Sequence, residues 1–227
     1  MYSSDLKNKC YHKKGYILET DKISKYKHIF GGESWSYLDK NPLNDKPILL
    51  FVLDLKDSKL SFLRVDGLEE IPIFSYLNSD LWYEPQIYKI NPEDKSVFFT
   101  DKKNHIEYMQ SDEDKIMNPI PPKCVSLREM KLSEYVTDED SYWKNSDEFL
   151  GGDSFIRILG EPLWIQNKLE IKCSCSQCMY FVMGIGYEPY NAKPKLIPNE
   201  VFFFGESALY IFFCKDCLEI KIIPQFS

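Results

Sequence analysis

The chain reads as a mainly β protein, a β-rich α+β fold of two similar halves, the second carrying a zinc-ribbon-like site. Three observations lead there. Apolar runs of strand length recur along the 227 residues. A Gly-Glu turn and a tryptophan precede an apolar strand twice. Two C-x-x-C pairs, Cys175-Ser-Gln-Cys178 and Cys214-Lys-Asp-Cys217, lie near the C-terminus between strand-like stretches.

The strands follow in order. Pro47-Ile-Leu-Leu-Phe-Val-Leu53 is a continuous apolar run between polar turns, the pattern of a strand buried on both faces. Residues 60–65 follow a polar turn and predict a hairpin partner. Further strands are expected at 86–90, 96–100 and 105–109, then at 155–159, 169–172, 179–186, 201–204, 209–213 and 218–223. Helices are few. Ser126 with Glu129 three residues later forms a capping-box pattern that predicts a short helix over 126–135. A second is expected over 138–150, with acids in its first turn where the helix dipole favours them. Residues 111–123, with three acids and three prolines, read as an exposed loop.

The chain echoes itself. Phe30-Gly-Gly-Glu-Ser-Trp35 precedes the apolar run ending Leu53-Asp-Leu55, and Leu159-Gly-Glu-Pro-Leu-Trp164 precedes Tyr180-Phe-Val-Met-Gly-Ile185. Two copies predict one domain over 1–227 made of halves 1–123 and 124–227. A solenoid needs at least three.

Composition narrows the function classes. Hydrophobic residues make up 44% and aromatics 15%, enough for a packed core. The net charge of −7, with Arg64, Arg128 and Arg157 as the sole arginines, argues against a nucleic-acid partner. No apolar run approaches the roughly 20 residues of a membrane span, and the first residues lack a signal peptide's apolar core. A cytoplasmic protein is expected, so the seven cysteines read as metal ligands and free thiols before disulfides.

Each C-x-x-C turn points two thiolates at one ion, and two turns complete a closed tetrahedral shell. The expected metal ligands are therefore Cys175, Cys178, Cys214 and Cys217, with structural Zn2+ as the cofactor. Cys173 offers an alternative, although a C-x-C pair bites one tetrahedral ion less comfortably. Plain reduced thiols and a redox pair are the competing readings. Met179 and Leu218 stand where a glycine often follows the second cysteine of such a ribbon.

These residues resemble a known family. Ile158-Leu-Gly-Glu-Pro-Leu-Trp-Ile-Gln166 is similar to the L-G-G-x-P-x-W-I-Q element of the YwqG-like family, a bacterial domain of unknown function. Cys175-x-x-Cys178-Met179, Phe204-Gly-Glu-Ser-Ala-Leu-Tyr-Ile-Phe212 and Cys214-x-x-Cys217 resemble its cysteine-bearing branch. That branch is itself similar to the programmed-cell-death-protein-two family of eukaryotes, which includes dedicated chaperones of a ribosomal protein. Bacterial relatives have been proposed as immunity proteins against polymorphic toxins. The similarity covers 155–227 clearly and 30–57 faintly. Ser34 replaces a usual proline, and Leu159-Gly160 replaces a double glycine.

No motif for catalysis stands out. His12, His28 and His105 fit no metalloprotease or nucleophile-elbow pattern, and Gly184-Ile-Gly186 sits in a strand-like run. Tyr76, Trp82, Tyr83, Tyr88, Tyr142 and Trp143 fit a core or a protein interface equally. The resemblance and the acidic charge together imply a protein that binds a basic protein partner, a toxin or a ribosomal protein, and is not an enzyme. An enzyme or small-ligand binder using a cleft between the halves is the alternative.

Overall fold

A computed structural model describes residues 10–20, 22, 24–38, 46–78, 83–100 and 115–227. Among the described residues twelve strands form one sheet and helix is scarce, so the mainly β class holds. In chain order the strands are β1 (Gly15–Glu19), β2 (His28–Phe30), β3 (Ser36–Leu38), β4 (Ile48–Asp54), β5 (Glu70–Ser75), β6 (Gln86–Asn91), β7 (Ser96–Phe99), β8 (Lys123–Glu129), β9 (Ile156–Leu159), β10 (Tyr180–Ile185), β11 (Ser207–Cys214) and β12 (Glu219–Phe226). The α-helix α1 spans Glu139–Phe149 and starts at Asp138, whose carboxylate accepts the Ser141 amide.

The sheet order is β3-β7-β6-β12-β11-β10-β9-β1-β8-β2-β4-β5. The antiparallel pair β1–β8 lies inside it, with β9, β10 and β11 running outward on one side and β2, β4 and β5 on the other. The expected halves interleave in this order, since β6, β7 and β3 of 1–123 lie beyond β12 of 124–227. β2 and β9 also end alike: Gly31 and Gly32 follow β2 at φ 74° and 87°, while Leu159 and Gly160 close β9 at 55° and 77°. At Gly31 glycine is required, because a Cβ would stand 2.7 Å from the Ile120 carbonyl oxygen.

The far end of the sheet curls back. The Tyr88 hydroxyl of β6 accepts the Phe74 amide and donates to the Pro72 carbonyl of β5, both at 3.0 Å. Gln86 accepts the Tyr76 amide. The main core fills the curl, fed by β4, which is buried along its whole length as its sequence predicts.

Several expectations need correction. Residues 60–65 are not a strand: 60–63 belong to a 3-10 helix, Ser58–Leu63, and Val65 makes an isolated bridge to Leu68. Asp57 caps the helix by accepting the Lys59 amide and is held by the buried His28 ring, whose Nε2 stands 3.1 Å from Asp57. The Asp54 amide donates to His28 Nδ1, so Nε2 carries the proton toward Asp57. The partner of β4 is β5, which tolerates Pro72 because it lies at the end of the sheet order. The helix expected at 126–135 is β8 followed by one 3-10 turn, Leu132–Glu134. Val125 and Leu127 alternate inward there, and ladders to β1 and β2 override the capping pattern. Residues 201–204 form no strand, since the buried Glu188 carboxylate takes the Leu196 and Phe202 amides. Residues 169–172 contribute a single bridge, Lys172 to Cys178. The strand expected at 105–109 lies outside the described residues. Among those described, no helix is long and apolar enough to cross a membrane.

Candidate metal centre

The alternation of β11 places the first thiol. Leu209, Ile211 and Phe213 enter the main core, whereas Ala208, Tyr210, Phe212 and Cys214 face a smaller core on the other side of the sheet. Cys214 therefore points away from the main core at the strand's end, where Lys215-Asp216-Cys217 turn into β12. Leu218 takes the residue after that turn at φ 51°, the left-handed conformation that a glycine adopts without strain.

The second pair comes from a small hairpin between β9 and β10. The Met179 amide donates to the Ile171 carbonyl at 3.1 Å, the Cys173 amide to the Gln177 carbonyl at 2.9 Å, and the Ser176 amide to the Cys173 carbonyl at 2.8 Å. Ser176 supplies the tight bend at φ 69°. Glu219, opposite Cys214 in the β11–β12 ladder, fastens this hairpin to the strands. Its carboxylate accepts the Ser174 amide at 3.1 Å and the Ser174 hydroxyl. Burial would raise the Glu219 pKa, but these donors outweigh it and hold it below the ordinary value.

The outcome is a four-sulfur cluster of Cys173, Cys175, Cys214 and Cys217, with all Sγ atoms within 4.8 Å of one another. Four sulfurs on one zinc at about 2.3 Å stand about 3.8 Å apart. The Cys175 and Cys214 sulfurs are already at 3.8 Å. The structure brings together three of the four expected ligands, Cys175, Cys214 and Cys217. The fourth position is filled by Cys173, the C-x-C alternative, and Cys178 is instead bonded to Cys10. The hairpin explains the exchange: Cys178 lies opposite Lys172 in its closing bridge, while Cys173 is buried in the smaller core beside Cys214.

The donor set fits a thiophilic ion. It holds sulfur alone, as a four-thiolate shell requires. Burial pushes the Cys173 thiol up to about 12 and raises that of Cys214. Hydrogen bonding to Cys175 pushes Cys217 up to about 11, and the Gln177 amide lowers Cys175. A bound cation would displace the protons that the other thiols otherwise keep.

The second turn also reaches the 3-10 helix Ser58–Leu63. The Lys215 ammonium lies 4.2 Å above the Tyr180 ring and 5.2 Å from that of Phe62 in the 3-10 helix Ser58–Leu63. Beside it a depression of about 710 Å³ runs from Lys56 and Arg64 to Lys215 and Asp216. The Trp-Ile-Gln element docks on the same strands. Trp164 stacks on Tyr210 at 4.6 Å, the Ile165 amide donates to the Tyr210 hydroxyl, and Gln166 bonds to Gln225 and Phe226.

Of the histidines, His12 precedes β1 with its ring 5.1 Å from that of Phe62, His28 belongs to the Asp57 node, and His105 lies outside the described residues. Tyr76 and Tyr88 are core, Tyr83 and Trp143 are exposed, and Tyr142 donates its hydroxyl to the Trp164 carbonyl. Trp82 lies outside the described residues. Sequence reasoning missed Glu219; its signal is an acid two residues after a candidate ligand, at the start of a strand. No protein-family model, curated protein or solved structure matches the chain.

Proposed function

We propose that this chain is a zinc protein of the YwqG-like kind whose metal is structural and whose work is to bind a basic protein. The closed sulfur-only cluster carries the reading, because a four-thiolate shell leaves no coordination position for a substrate. An immunity or antitoxin-like role comes first, on the family resemblance, and chaperoning of a partner second.

The exposed face of α1 supports the choice of partner. Trp143 is 59% exposed. Glu139, Asp140 and Asp147, one turn away on either side, are exposed carboxylates around it, with Lys144 the exposed base of that face. An aromatic anchor ringed by acids suits arginine or lysine side chains by stacking and charge. A pull-down of the zinc-loaded protein from its own cell lysate, followed by mass spectrometry, tests the role. One stoichiometric basic partner, lost with Trp143→Ala, is expected. A wild-type pull-down as empty as the variant's would count against constitutive binding.

One feature favours a second reading. The depression beside Lys215 is lined by three bases, Lys56, Arg64 and Lys215, and three acids, Asp66, Glu69 and Asp216, with Lys56 paired to Glu69, and would suit a small polar ligand whose anionic group meets the bases. Isothermal titration with inorganic phosphate separates the two, since the binding role predicts no heat there.

A further inference from the structure

Beside the metal cluster, but outside it, stands a second pair of thiols. Cys10 and Cys178 are joined sulfur to sulfur across 168 residues of sequence, with Cα atoms 6.5 Å apart. That separation lies within the ordinary range for a disulfide. Cys10 is 6% exposed, whereas Cys178 faces solvent. A reagent therefore reaches the pair at the Cys178 sulfur.

The bond fastens the chain ahead of β1 onto the hairpin that holds Cys173 and Cys175. β9 pairs with β10 over Met183, Gly184 and Ile185, and then turns away through Leu159 and Gly160. The Phe181 amide, beyond that ladder, donates instead to the Cys10 carbonyl at 3.1 Å. Tyr11 meets the Phe181 ring edge-on at 6.5 Å, and Lys168 lies 5.6 Å above Tyr11. Cys10 thus takes the place that β9 vacates, and Tyr11 lies against the smaller core that contains the cluster.

We propose that Cys10–Cys178 is a reversible redox strap on the metal-bearing hairpin. As a disulfide it holds the hairpin against β10. As a dithiol it releases Cys10 and loosens the hairpin without consuming any of the four cluster thiols. The step balances with a low-molecular-weight disulfide such as glutathione disulfide. The Cys178 thiolate attacks one of its sulfurs and expels a glutathione thiolate, which takes up a proton. The Cys10 thiolate then attacks the Cys178 sulfur and expels the second glutathione. Two protein thiols are oxidised as one glutathione disulfide is reduced to two thiols. Glutathione attacking the exposed Cys178 sulfur reverses the sequence. The effect on metal exchange rests on the four-thiol zinc reading; the strap itself does not.

The test uses the full zinc-loaded chain, equilibrated in oxidised or reduced glutathione, then alkylated and mapped by mass spectrometry. In the oxidised sample the intact mass is expected to fall by about 2 Da, with Cys10 and Cys178 in one linked peptide and Cys124 alkylated. In the reduced sample Cys10, Cys124 and Cys178 should be alkylated and the four cluster thiols protected. Reduction should also speed hydrogen exchange at the Phe181 amide and zinc transfer to a chromogenic chelator. Cys10→Ser should behave as the reduced protein in both buffers while keeping its zinc. The proposal is overturned if Cys178 is protected in the reduced zinc protein while Cys173 reacts, or if no linked peptide forms on oxidation. A protein without zinc, with all cluster thiols reactive, defeats the metal reading instead. The linked peptide and Phe181 exchange would still decide the strap.

Discussion

Replacing Cys214 by serine removes one thiol of the four-sulfur cluster with little change in volume. A structural zinc site is worth about 10 kcal/mol or more of folding free energy, so an even share per ligand is about 2.5 kcal/mol. Cys214 is 2% exposed, and a serine hydroxyl left there without a partner adds about 1–3 kcal/mol. The sum, about 4 kcal/mol, is a large fraction of the 5–15 kcal/mol by which native proteins are stable. At about 2–4 °C per kcal/mol for a chain of this size, the melting temperature should fall by about 8–16 °C. Thermal unfolding of zinc-loaded wild type and Cys214→Ser, with zinc measured on both, checks this. Cys124→Ser, exposed and outside the cluster, should change stability by no more than about 0.5 kcal/mol. A Cys214→Ser protein with wild-type zinc and an unchanged melting curve would refute the reasoning, as would a chelated wild type that melts normally.

Glu219→Ala leaves the Ser174 amide and hydroxyl without their acceptor, and should cost about 2–3 kcal/mol and speed zinc loss to a chelator. Gly31→Ala forces a side chain into φ 74° against the Ile120 carbonyl oxygen, and should cost about 2 kcal/mol by chemical denaturation. Burial holds the His28 pKa below 6.5 despite the opposing pull of Asp57. Between that lowered value and 6.5 the unfolded chain binds more protons than the fold, so unfolding free energy should rise with pH across this window. His28→Gln should flatten that slope; a slope as steep as wild type would show that His28 is not its source.

The parts of the fold that were legible in the sequence were those whose burial is complete or whose alternation is regular. β4 was visible because every residue in it is apolar up to Asp54, and α1 because Asp138 and the acids after it mark a start. β8 was misread because Ser126 and Glu129 match a cap as well as a strand, and the pairing that decides between them comes from β1 and β2, more than 90 residues away. The 3-10 helix after β4 was equally hidden, since its apolar run matches a strand and the His28–Asp57 contact that fixes its start spans the two segments. At the candidate metal centre, spacing alone picked out Cys175, Cys214 and Cys217 of the four clustered cysteines. It favoured Cys178, whereas the cluster holds Cys173, because the outcome depends on the hairpin closing at Lys172–Cys178 and on Cys10, far off in the sequence, meeting Cys178.

The most direct test of the central claim is the metal content and sulfur coordination of protein purified without chelators, by elemental analysis and zinc K-edge absorption on one sample. The cluster predicts one zinc per chain in a shell of four sulfurs at about 2.3 Å, with Cys173, Cys175, Cys214 and Cys217 shielded from alkylation. Protein that is folded and free of metal, or a shell with nitrogen or oxygen ligands, would contradict it.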